Sequence, residues 1–251
     1  MNKIFKKDKN LIGMIHTPDL CNTPVEECIS KCLTDMQTLE KAGFDAILIE
    51  NHDDEIQLEF AIPLQIEKMT AIAKVIGEKT SLPFGVQMML NDWKASFDIC
   101  KLSGASFTRL DVFVDNMLCD CGEIFPKTLD LMKYKEQIYP ELVLYTDIHV
   151  KHKEMLDKDK SLLQSASEAI EVGSDGLVIT GEWTGKETSL NDLKDIKSCY
   201  PEIPVLVGSG VSVLNINNQK KYGDLFIVGT SIKSENFVDY EKSVELIKRL
   251  E

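Results

Sequence analysis

The feature that most constrains this chain is a unit that recurs eight times: a short, continuous apolar run, then a longer stretch whose apolar residues return every three or four positions. The short runs occupy residues 11–15, 46–49, 84–89, 106–110, 142–148, 176–179, 205–207 and 225–228. Helical periodicity follows over residues 25–42, 62–76, 93–102, 127–139, 162–172, 189–199, 213–220 and 238–250. Runs that are apolar throughout, rather than at every second position, belong to parallel strands covered on both faces. Eight such units in 251 residues, about 31 residues apiece, match a single closed (β/α)₈ barrel and exceed what an open doubly wound sheet uses. No Pro/Gly/Ser linker interrupts the pattern, so residues 1–251 are expected to form one domain.

Local signals agree with this reading. Thr23-Pro24-Val25-Glu26 reads as a capping box with proline at the first helical position. The helix after it should bury Val25, Cys28, Ile29, Cys32, Met36 and Leu39 and stop at Gly43. Lysine and arginine number 28 against 41 aspartates and glutamates, a net charge of −13, which disfavours nucleic acid and anionic membrane surfaces as partners. No apolar run approaches the roughly 18 residues of a membrane span, and the stretch after the four N-terminal lysines is too short for a signal peptide. Seven scattered cysteines, an odd number, read as reduced thiols, and a cytoplasmic location is expected. Cys28 and Cys32 read as packing. Cys119 and Cys121 read as loop thiols, a lid or redox role being the alternative.

A barrel of this kind places its binding site at the carboxyl ends of the strands, and polar residues collect there. His16, His52, His149 and His152 all follow strands, as do Glu50-Asn51, Asn91-Asp92, Arg109-x-Asp111 and Thr180-Gly181. In Asp147-x-His149 the strand period of two turns both side chains to one face. The residue types suit acid–base chemistry: Glu50 or Asp147 as base, His149 or His152 as acid, Lys151 or Arg109 against developing negative charge, with His16 beside them. Asn51, Asn91, Asp111 and Thr180 are candidates for holding substrate. The competing use is a divalent metal on His16, Asp147, His149 and His152, although neither an HExxH pattern nor a Cys-x-x-Cys pair accompanies it. No other cofactor is indicated.

The seventh and eighth strands end in glycine turns, Gly208-Ser209-Gly210 and Gly229-Thr230-Ser231. Barrels commonly hold phosphate at this pair of turns, through backbone N–H groups that approach the anion where no Cβ intervenes. Gly181 after the sixth strand is a further candidate for the same anion.

Taken together, Leu11-Ile-Gly-Met-Ile-His16, Gly43-x-Asp45-Ala46-x-x-Ile49-Glu50-Asn51, Asp147-Ile-His149-Val-Lys151-His152, Thr180-Gly181 with Thr184-Gly185, Val205-Leu-Val-Gly-Ser-Gly-Val211 and Ile227-Val-Gly-Thr-Ser231 resemble the BtpA/SgcQ family over nearly the whole chain. The Asp-x-His-x-Lys-His run is the most specific part. The resemblance implies a (β/α)₈ barrel related to phosphate-binding barrels such as the tryptophan synthase α subunit. It also implies one member needed for photosystem I biogenesis and others that accompany sugar-metabolism genes. The chain departs from the family pattern at Thr17-Pro-Asp-Leu-Cys21, at Glu50-Asn-His-Asp-Asp54 and in the two-cysteine loop.

The sequence therefore points first to an enzyme for a small phosphorylated metabolite, a sugar phosphate or nucleotide-derived compound, using isomerase, lyase/aldolase or glycosyl-transfer chemistry. Two alternatives stand beside it: a non-catalytic assembly factor for membrane complexes and a metal-dependent hydrolase. Barrels of this type commonly associate, so a homo-oligomer is an open expectation.

Overall fold

The computed structural model describes residues 4, 5, 7–150, 153–181 and 187–250. Eight parallel strands close into a barrel: β1 Asn10–His16, β2 Ala46–Glu50, β3 Phe84–Gln87, β4 Phe107–Leu110, β5 Val143–Asp147, β6 Gly176–Ile179, β7 Val205–Val207 and β8 Leu225–Val228. Each strand pairs with its neighbours in chain order, and β8 closes onto β1 through Asn10↔Leu225 to Gly13↔Val228. A helix follows each strand: α1 Val25–Ala42, α2 Pro63–Lys79, α3 Trp93–Ser103, α4 Thr128–Ile138, α5 Leu162–Val172, α6 Leu190–Cys199, α7 Ile216–Gln219 and α8 Tyr240–Leu250. This is the (β/α)₈ barrel that the recurring unit predicts.

The apolar residues divide into two cores, as strand alternation requires. Outward-facing residues such as Ile15, Ile47, Ile49, Leu144 and Leu177 pack against the helices. Inward-facing Ile12, Met14, Leu48, Phe107, Tyr145, Val178, Leu206 and Ile227 fill the barrel itself. Burying each large side chain contributes about 1.5–3 kcal/mol, so both layers favour closure. The barrel is a packed core beneath its mouth, not a channel.

Helix ends show where local rules held and where they did not. Gly43 stops α1 in the left-handed region at φ 102°, as expected. The capping box at Thr23 is not made: Pro24 takes the cap position, one residue later, without a side-chain hydrogen bond. Cys28, Cys32, Met36 and Leu39 are buried as the stripe predicts, but so are Lys31 and Asp35, while Val25 and Ile29 are only half-buried. The segment expected as a helix over 213–220 shortens to α7. The Asn215 side chain accepts from the Ser212 N–H and donates to the Gly210 carbonyl, so a side-chain turn replaces the first helical turn.

The long connection after β4 is not bare loop. Met117–Cys119 and Gly122–Ile124 form a hairpin, and Glu154–Met155, beyond β5, pairs with its first strand. This three-stranded sheet stands over the mouth on the β3–β5 side. Among the described residues no helix is long and apolar enough to cross a membrane.

Candidate functional site

Continuing the inward-facing set two residues further along each strand brings His16, Glu50, Arg109, Asp147, Thr180, Gly208 and Gly229 to the top of the barrel interior. They floor a cavity of about 910 Å³, Asp147 from just below it. His52 and Asp111 line its sides, the three-stranded sheet adds Leu118, Cys119 and Asp120, and Lys153 and the turns after β7 and β8 complete it.

The floor has two kinds of polar group. On the β4–β5 side every charge is paired. Arg109 donates from Nε and Nη2 to the two Asp147 oxygens at 2.8 and 2.7 Å. Burial pushes the Asp147 carboxyl up to about 6, and the Arg109 charge works against a further rise. Asp111 accepts from Gln87 Nε2 at 2.7 Å and from Lys153 Nζ at 2.5 Å. Burial would lower the Lys153 ammonium, but Asp111 outweighs it and holds the pKa above its usual value. Gly208 packs against the same wall: a Cβ there would lie 2.4 Å from Val178 Cγ1 and 3.1 Å from Thr180 Cγ2, so a larger residue would displace those side chains.

On the β1–β2 side the groups are buried but loosely partnered. Glu50 sits opposite His16 in register and is 6% exposed. Among the described residues its carboxylate accepts no hydrogen bond, and His16 Nε2 lies 3.8 Å away. Burial raises its pKa, the Arg109 charge opposing. His16 stacks on His52 with ring centroids 4.6 Å apart, and burial together with Lys233 and His52 pushes its imidazole down to about 3, keeping it neutral. His52 is raised, chiefly by its hydrogen bond with Asp53. Burial, then the neighbouring Lys31, brings Lys233 down to about 8.

The turns after β7 and β8 form the remaining wall. Among the described residues, the backbone N–H groups of Gly210, Val211, Thr230 and Ser231 donate to no protein acceptor. Gly210 needs its glycine, with φ at 65°, whereas Gly229 is at −121° and does not. Ser209 Oγ accepts from the Gly181 N–H at 2.6 Å, and Ser231 Oγ donates to the Val211 carbonyl at 2.6 Å, so both hydroxyls brace the turns. Thr180 also lines the cavity, and its buried Oγ1 has no hydrogen-bond partner among the described residues.

Some expected residues are elsewhere. The chain turns at His149, φ 53°, which breaks the strand period. Its N–H donates to Asp115, its Nε2 lies 3.1 Å from the Lys160 carbonyl, and it does not line the cavity. Asn51 and Asn91 tie loops together: Asn51 accepts from the Met89 N–H and donates to Asp54, and Asn91 accepts from the Val112 N–H. Lys151, His152, Thr184 and Gly185 lie outside the described residues. The metal set His16, Asp147, His149 and His152 is therefore not assembled among the described residues, since Asp147 is held by Arg109 and His149 faces Lys160. The cluster that does form is His16, His52 and Asp53. Gln87, Asp53, Lys153 and Lys233 went unnamed in the sequence reading. The period of two from Gly85 points to Gln87, whereas Asp53 and Lys153 come from loops and Lys233 from a two-residue strand, with no such signal.

A family model described as the BtpA family matches residues 7–251. The chain belongs to the BtpA family. An uncharacterised protein of Methanocaldococcus jannaschii is 33% identical to this BtpA-family chain over 100% of its length and 96% of the relative. The photosystem I biogenesis protein BtpA of Synechocystis is 26% identical, with 91% of this chain and 82% of the relative covered. Two solved structures share the barrel. One is (S)-3-O-geranylgeranylglyceryl phosphate synthase from Thermoplasma acidophilum with sn-glycerol-1-phosphate, at TM-score 0.64 and 17% identity over 97% of this chain and 94% of that one. The other is thiamine phosphate pyrophosphorylase from Pyrococcus furiosus, at TM-score 0.62 and 19% identity over 97% and 96%. At these identities the likeness is one of fold.

Proposed function

We propose that this BtpA-family barrel is an enzyme for a small phosphorylated metabolite of sugar-phosphate size, with proton transfer at carbon as its chemistry, in the isomerase or lyase class. One observation carries the reading. One and the same cavity has, among the described residues, backbone N–H groups without acceptors at Gly210, Val211, Thr230 and Ser231 on one wall, and a buried carboxylate without a hydrogen-bond donor, Glu50, on its floor. The turns hold the phosphate through N–H groups, which suit a dianion in a chain whose net charge is −13. Two of the fold's neighbours carry phosphate esters in their names, which agrees with that use of the turns.

Glu50 is the general base. Its raised pKa brings it closer to neutrality than an ordinary carboxylate, and its oxygens are not committed to a donor. It takes a proton from substrate carbon, and the negative charge that develops on the adjacent oxygen meets Lys153 and Arg109. Returning the proton to the neighbouring carbon completes an isomerisation. In the lyase outcome the carboxylate takes the proton from the hydroxyl of a β-hydroxy carbonyl compound, a new carbonyl forms as the carbon–carbon bond breaks, and the electron pair passes to an enolate that is then protonated at carbon. Asp147 is a positioning residue that holds Arg109.

The test is titration calorimetry with inorganic phosphate, then turnover of a panel of sugar phosphates. Saturable phosphate binding that Gly210→Ala weakens about tenfold or more supports the reading. Turnover that Glu50→Gln lowers by about 10²–10⁴ supports the assignment of the base. Absence of phosphate binding, or full activity in Glu50→Gln, overturns it.

A further inference from the structure

We propose that His16, His52 and Asp53 form a site for one divalent transition-metal ion at the β1–β2 side of the mouth. One donor atom from each lies within 4.8 Å of the others. A cation can gather such a set, since ligands about 2.0–2.2 Å from a metal stand roughly 3–4 Å from one another.

The state of His16 points the same way. Its side chain is 13% exposed, yet among the described residues neither ring nitrogen makes a hydrogen bond. Nδ1 is 3.9 Å from Asp53 Oδ1 and Nε2 is 3.8 Å from Glu50 Oε2, both beyond hydrogen-bond reach. A buried imidazole left unbonded at both nitrogens costs free energy that a ligand to it would recover. The rings of His16 and His52 are stacked, 16° from parallel with centroids 4.6 Å apart, and because a nitrogen lone pair lies in its ring plane, one ring turns out of the stack when both hold the same ion. His52 Nδ1 and Asp53 Oδ1, 2.9 Å apart, are close enough for one ion to take the place of the proton between them.

Charge and donor type narrow the ion. Lys31 is matched by Asp35 at 2.7 Å, which leaves Lys233 as the ammonium facing the carboxylates of Glu50 and Asp53. Two imidazoles and one carboxylate suit zinc, manganese, iron(II) or cobalt(II), rather than magnesium or calcium, which prefer oxygen donors throughout. His16 and His52 line the cavity, so the remaining coordination positions face it. Metal binding by itself is independent of the proposed function. The role of such an ion as a Lewis acid opposite the phosphate turns rests on that reading.

The experiment uses the full chain, stripped with chelator and carrying Cys119→Ser and Cys121→Ser to remove thiol competition. Zinc is titrated by calorimetry and cobalt(II) by visible absorption, with inorganic phosphate titrated into the same metal-free protein. One equivalent of metal is expected. His16→Ala, His52→Ala and the isosteric Asp53→Asn should each weaken binding about tenfold or more while circular dichroism shows the fold retained. No saturable binding, or binding unchanged in all three variants, overturns the site. No metal binding by the protein with His16, His52 and Asp53 intact, while phosphate still binds, defeats this proposal alone, and the reverse defeats the phosphate reading alone.

Discussion

The two sides of the barrel mouth are oppositely organised. On the β4–β5 side Arg109 grips Asp147 with two hydrogen bonds, and Asp111 takes donors from Gln87 and Lys153. On the β1–β2 side Glu50 and His16 are almost as inaccessible, yet neither makes a side-chain hydrogen bond among the described residues. Paired charges fix geometry, because removing one partner strands the other in low dielectric. Groups kept buried without partners lower stability where they stand and persist where a ligand engages them.

The largest expected effect tests the paired side. Arg109→Ala should cost about 3–5 kcal/mol in urea unfolding at pH 8, because Asp147 is left charged and alone. The same variant should lose less at pH 5. Burial raises Asp147 in the folded state from 3.8 to about 6, so the stability it confers is present below about pH 4 and lost as pH rises through about 6. A neutral Asp147 has little need of its arginine. A penalty independent of pH would show that the pair does not behave as a charge pair.

A smaller effect is expected at the turns. Gly210→Ala forces a side chain into φ 65° and should cost about 1–2 kcal/mol in the same assay. The companion change Gly229→Ala, at φ −121°, should cost less than that, since it lies outside the left-handed region and the nearest side-chain atoms to an added Cβ are 3.5 Å away. Equal losses at the two glycines would contradict the geometry of the turns.

The smallest effect on folding, and the sharpest contrast with Arg109, is at Glu50. Glu50→Gln should leave stability unchanged or raise it by up to about 1 kcal/mol. Because burial raises this carboxyl, the wild-type protein loses stability as pH rises through the folded Glu50 value, so the advantage of the glutamine should grow with pH. A loss above about 2 kcal/mol would place Glu50 with the paired groups and erase the distinction between the two sides.

Much of this was legible in the residues. Continuous apolar runs gave eight parallel strands, and their order followed because short αβ connections place successive strands side by side. His16, Glu50, Arg109, Asp147, Thr180, Gly208 and Gly229 stand where strand ends put them, each two residues beyond an inward apolar side chain. The same arithmetic misled at His149, because it assumes the strand continues. β5 ends at Asp147, and the left-handed turn at His149 sends the ring toward Lys160. Asn51 and Asn91 have the residue type of substrate ligands, and only the path of the loops shows that their amides are already engaged.

What the sequence determined by itself was periodicity: which residues form strands and which turn inward. Periodicity follows from backbone geometry and from burial of apolar surface, both of which can be read along the chain. Tertiary structure alone decided which polar groups meet. Lys153 reaches Asp111, 42 residues away, and Arg109 reaches Asp147, 38 residues away, while His16 comes to rest against His52 and Asp53. Pairing is a property of distance and dielectric in three dimensions, and of two carboxylates at strand ends, Asp147 comes to rest on an arginine and Glu50 on no donor among the described residues only when the barrel closes around them.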